Sequence, residues 1–156
     1  MRYITSTLLL LTWGLWFGGL IALFFTVMLL FSVDKTLAVQ VGPRVFPAFE
    51  KLQLVLAGLL LASCFGMRVL TKSGFWTVVL AVVIVAAIPA IVSPLFVTPR
   101  LVAIWGDHES YKEEFKKLHG YSMMLYSTST VTLLLAGLGL PIALKGDNLL
   151  GHGREK

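Results

Sequence analysis

Imidazole, thioether, carboxylate and thiol groups can hold a metal or haem or move a proton, so His108, His119, Met123, Glu50 and Cys64 come first. His108 and His119 are eleven residues apart. On one helix they fall within about 20° of each other, but about 16 Å apart along the axis. Ligand bonds are about 2 Å long, so one ion cannot use both on an unbroken helix. His119 and Met123 suggest a His/Met haem pair. Four residues apart, they share one side of a helix, whereas axial ligands approach a haem from opposite faces. No other apolar block contains a histidine. His119 is therefore expected to be a boundary or packing residue, with no cofactor. A haem, or a metal ion held by His119 or His108, is the alternative.

The chain has no G-x-S-x-G, H-E-x-x-H or P-loop pattern, so no catalytic residue is assigned and the protein is read as non-enzymatic. Cys64 is the single cysteine; it cannot form an internal disulfide, and its place in an apolar block makes it a small buried hydrophobe. A candidate polar cluster remains. Glu50 and Lys51 open one apolar block, and the topology below puts them on the same side as His119 and Arg100. Such a group caps a bundle or gates a small pathway.

The elements that must position these residues are apolar. Of 156 residues, 57% are hydrophobic and 13% charged, against about 25% charged in an ordinary soluble domain. Four apolar blocks are each long enough to cross about 30 Å of hydrocarbon. The expected fold is all-α, an integral membrane four-helix bundle forming one domain over 1–156. Its spans cover about 4–32, 46–68, 75–98 and 121–144, with a polar loop from Asp34 to Pro43 and a turn at Lys72-Ser73-Gly74. Trp13, Trp16 and Phe17 lie inside the first block and are expected to pack against other helices. Pro89 and Pro94 should bend the third span. Ile104, His108, Tyr111, Phe115 and Leu118 recur at steps of four and three, predicting an amphipathic helix over 101–118. Residues 146–156 read as a mobile tail.

Two small-x-x-x-small ridges could let helices approach closely: Gly14, Gly18 and Ala22 on the first span, and Gly58, Ala62 and Gly66 on the second. They are expected to serve packing within the chain, with a partner chain as the alternative. Ser127, Thr128, Ser129, Thr130 and Thr132 form a hydroxyl-rich stretch in the fourth span; these can bond to their own helix carbonyls or face an internal cavity. The net charge of +5 is scattered, which excludes a nucleic-acid arm and suits lipid headgroups. Four spans put both termini on one side. Basic residues do not decide which side; the expectation is cytoplasmic termini in a bacterial inner membrane.

Three segments carry a family resemblance: LTWGLWFGGLIALFF in the first span, GPRVFPAFEKLQ entering the second, and FKKLHGYSMMLYSTST entering the fourth. Together the chain resembles the transmembrane protein 205-like domain family of small four-span membrane proteins, whose bacterial members are largely of unknown function. The family pattern falls on Trp16, Gly18, Gly19, Gly42, Phe46, Pro47, Phe115, Leu118, His119 and Ser122. The resemblance implies a shared architecture without a reaction. Its eukaryotic relatives are associated with membrane trafficking and platinum-drug resistance, which points towards metal handling. A looser likeness links the chain to copper-resistance D-type domains and haem-containing protoporphyrinogen oxidases, although the latter expect histidines within their spans. The resulting expectation is an accessory or assembly subunit, or a small-molecule or metal-handling component. Its partners would be the lipid bilayer and other membrane subunits or a second copy. The alternative is a haem-binding membrane redox protein with His119 as a ligand.

Overall fold

The computed structural model describes residues 2–107 and 110–152. Within them α1 spans Arg2–Val33 and α2 spans Lys35–Thr71. The third rod consists of α3 (Gly74–Val92), a π-helical turn (Ser93–Val97), α4 (Thr98–Ile104) and a short 3₁₀ turn (Trp105–Asp107). The last helix, α5, spans Lys112–His152. Four of these rods are long and apolar enough to cross a membrane: Arg2–Val33, Thr36–Thr71, Gly74–Asp107 and Lys112–Lys145. Each rod packs on its sequence neighbour, and α1 also meets α5, which closes a ring of four. The fold is the expected all-α membrane bundle.

Several boundaries differ from the expectation. The stretch 34–43 is no loop, because α2 begins at Lys35. Asp34 caps it by accepting from Thr36 N at 2.7 Å and Leu37 N at 3.2 Å, which satisfies donors that an uncapped helix start leaves orphaned. Pro43 lacks the N–H that would bond the Val39 carbonyl. Trp105 Nε1 donates to that carbonyl instead, at 2.7 Å. Gly42 makes the approach possible, since a Cβ there would lie 2.8 Å from Trp105 Cζ2. A sequence pair that reads as a turn is thus a landing site for a tryptophan from the third rod. The other reversal follows expectation: Lys72 takes a left-handed conformation, φ 55°, and its N–H returns to Arg68 O at 3.1 Å.

The helix predicted over 101–118 is divided. Residues 98–104 continue the third rod, and the chain reverses between Trp105 and Tyr111. Gly106 is a poor helix former, and Ser110 Oγ donates to Asp107 Oδ1 at 2.7 Å, which favours a turn. His108 and Glu109 lie outside the described residues. At the other end α5 runs on to His152, so the expected tail begins as helix; 153–156 lie outside the described residues.

The core joins Leu9, Trp16 and Leu20 to Leu60, Cys64 and Met67, Trp76, Val79 and Val83, and Leu133, Ala136 and Leu140. Hydrocarbon outside is as apolar as leucine, so close packing and hydrogen bonds drive helix association here. The α1–α5 contact shows both. Trp13 Nε1 donates to Leu133 O at 2.8 Å, while its ring lies over Gly137, where a Cβ would come within 2.1 Å of Cζ2. Trp13, Trp16 and Phe17 therefore pack inward, as expected.

The small-residue ridges do not serve these contacts. Gly14, Gly18, Ala22, Gly58 and Ala62 are exposed, and a Cβ on Gly14, Gly18 or Gly58 would meet nothing within 4 Å. Gly66 alone approaches a neighbour, at 3.3 Å from Thr5 Cγ2. The tightest glycine approaches within the chain, at Gly137, Gly42 and Gly19, lie outside both ridges.

Candidate functional site

Glu50 lies six residues after Arg44 on α2, less than two turns on, on the helix face that also carries Gln53, Ala57, Leu60 and Cys64. It is 1% exposed and Gln53 2%. Lys51, one residue on, points to the exposed side, because neighbours in a helix are 100° apart. Glu50 and Arg68 are eighteen residues apart, about 27 Å of helix. With Arg68 at one edge of about 30 Å of hydrocarbon, Glu50 lies near the opposite edge.

The third rod supplies its partners. Pro94 and Pro99 lack the N–H groups that would continue a regular ladder. Between them Thr98 N–H reaches back to Ser93 O, a five-residue step that closes the π turn. The wider turn directs both hydroxyls into the bundle. Ser93 Oγ and Thr98 Oγ1 each donate to Glu50 Oε1 at 2.6 Å, and they lie 3.2 Å from one another. Single π turns of this kind are frequent at functional sites. From α5, Tyr126 leans towards its helix N-terminus, placing its hydroxyl 3.4 Å from the same oxygen. That distance is long for an O–H···O bond, so it is a weak polar contact. Phe46 and Phe49 stand beside the tyrosine ring, with centroids 6.1 and 6.5 Å away.

The carboxylate has no counter-ion among the described residues. Among the described residues the ion pair shown is Arg100 with Glu114, and no lysine, arginine or histidine pairs with Glu50. Arg100 Nε and Nη2 donate to the two Glu114 oxygens at 2.6 and 3.0 Å on the exposed surface.

The structure thus separates the predicted cluster of His119, Glu50, Lys51 and Arg100. Glu50 is inside, Lys51 is exposed, Arg100 is committed to Glu114, and His119 is exposed with its ring parallel to Phe115 at 6.1 Å. The chain reversal at 105–111 fixes the register of α5 and brings Tyr126 level with Glu50. His119 lies two turns, about 10 Å, further out. The hydroxyl stretch in α5 also divides. Thr128, Thr130 and Thr132 bond to their own helix at Met124 O, Tyr126 O and Thr128 O. Ser129 crosses to Ala86 O on α3 at 3.0 Å.

Sequence reasoning found Glu50 but missed Ser93, Thr98 and Tyr126. The available signal was the spacing of Ser93 and Thr98, each directly before a proline. Among the described residues no three His, Cys, Asp or Glu side chains converge.

These features define a class: a four-span α-helical integral membrane protein with a carboxylate buried against a π turn and, among the described residues, without a cationic partner. Residues 11–110 match the family described as a domain of unknown function, DUF4149, and the chain belongs to that family. No curated protein and no solved structure matches it.

Proposed function

We propose that this protein is a non-enzymatic membrane component that handles a small solute or ion at the Glu50 centre. The observation that carries this reading is Glu50 itself. A carboxylate near the edge of the hydrocarbon, 1% exposed and without a cation among the described residues, is costly to keep for structure alone. Its three hydroxyl neighbours come from two other rods, so a ligand there would touch three spans. The reading agrees with the resemblance to the transmembrane protein 205-like domain family, whose eukaryotic relatives are associated with platinum-drug resistance. A bacterial inner membrane, with cytoplasmic termini, is its proposed location.

Native mass measurement after mild extraction tests it. Wild type is expected to retain a bound small species that Glu50→Gln lacks. Identical spectra for the two proteins would overturn the solute reading.

A second reading, an accessory subunit or a homo-oligomer, is favoured by the outward-facing Gly14, Gly18, Ala22, Gly58 and Ala62. The same measurement reads it, as a co-extracted polypeptide or a second copy. The haem alternative has less support, since His119 is exposed and stands apart from the Glu50 centre. It requires a Soret band that is lost in His119→Ala.

A further inference from the structure

The two residues that donate to Glu50 are the two ends of the π turn: Ser93 supplies the carbonyl, and Thr98 the N–H, of its five-residue bond. A single oxygen on α2 therefore staples the irregular turn in the third rod shut. We propose that Glu50 is a reversible proton-binding site, and that its charge state sets whether this π turn is clamped or free to change register. The proposal rests on the reading of Glu50 as a working centre and adds a proton to what that centre binds.

A buried carboxylate without a cationic partner is stabilised by taking up either a proton or a cation. The contacts at Glu50 are those of a hydrogen-bonded carboxyl. Ser93 Oγ and Thr98 Oγ1 are each 2.6 Å from Oε1, the spacing of O–H···O hydrogen bonds to a carboxylate. All three hydroxyl contacts end on Oε1, which leaves Oε2 to hold the proton. The route is short, since Pro99 and Arg100, next to Thr98, are already exposed.

An ionised Oε1 attracts both hydroxyls. A neutral carboxyl is a weaker acceptor, and once one hydroxyl is released it can bond its own helix carbonyl as Thr128 and Thr130 do in α5. The released turn then loses its tie to α2.

Among the described residues few ionisable groups lie on the elements packed here. Tyr126 faces it from α5; Lys51 on α2 and His119 on α5 point to exposed surface, and Arg100 on α4 is paired with Glu114. No charged residue lies on α1 between Arg2 and Asp34.

Infrared difference spectra of the full chain in detergent, recorded as pH is lowered, test this directly. The expected result is a carboxylic-acid C=O band that grows on acidification, is lost in Glu50→Gln, and shifts in Thr98→Val, which removes one donor. At fixed pH, Glu50→Gln should also speed amide hydrogen exchange in 93–105. A band unaffected by Thr98→Val, or no pH-dependent band assignable to Glu50 while the protein stays folded, would overturn the proposal. If Glu50→Gln does not fold, Ser93→Ala takes its place, and an unshifted band there has the same force. The solute reading fails separately, when the band titrates but wild type and Glu50→Gln carry the same bound species.

Discussion

The two ends of the bundle solve the same packing problem with different materials. Towards the termini, Leu9, Cys64, Met67, Trp76, Leu140 and Ala143 fill the space between the rods with apolar atoms. At the opposite end the rods meet around a carboxylate and three hydroxyls, beside a turn that departs from α-helical register. The dry end tolerates only shape complementarity. The polar end depends on one acceptor serving two donors, so a proton can rearrange it without any change of volume. A tryptophan seated on glycine recurs along the bundle: Trp13 over Gly137 nearer the middle, and Trp105 over Gly42 at the polar end.

The comparison can be broken most severely at Gly137. Gly137→Ala places a methyl where the Trp13 ring lies, and should cost about 3 kcal/mol through overpacking and loss of the indole bond. Unfolding in mixed detergent reads this, and in a Trp13→Ala background most of the cost should vanish, because the two effects share one contact. Glu50→Leu should cost less, about 1–2 kcal/mol, since Ser93 and Thr98 lose their acceptor but can turn to their own helix. A cost equal to that of Gly137→Ala would mean that the polar end is as rigid as the dry one. The smallest effect belongs to Arg100→Gln. Its ion pair with Glu114 is exposed, so the unfolding midpoint should move little, and less at high salt than at low.

The sequence alone determined that this chain is a four-span helical membrane protein, because apolar length is a one-dimensional property set by bilayer thickness. It also marked the inward tryptophans of α1, the reversal at Lys72, and Glu50 as an unusual charge at the head of a span. Periodicity misled over 101–118, where Ile104 and Phe115 fit one helical face although a reversal separates them. It gave no direction for the glycine ridges either. Spacing defines a ridge, but only the neighbouring rods decide whether it faces them or the lipid. The partners of Glu50 were settled in three dimensions. Ser93 lies forty-three residues from it and Tyr126 seventy-six, and the register that joins them depends on the π turn and the reversal before α5. Local patterns set which residues are apolar; which polar atoms meet inside is fixed by helix register, and that belongs to the tertiary structure.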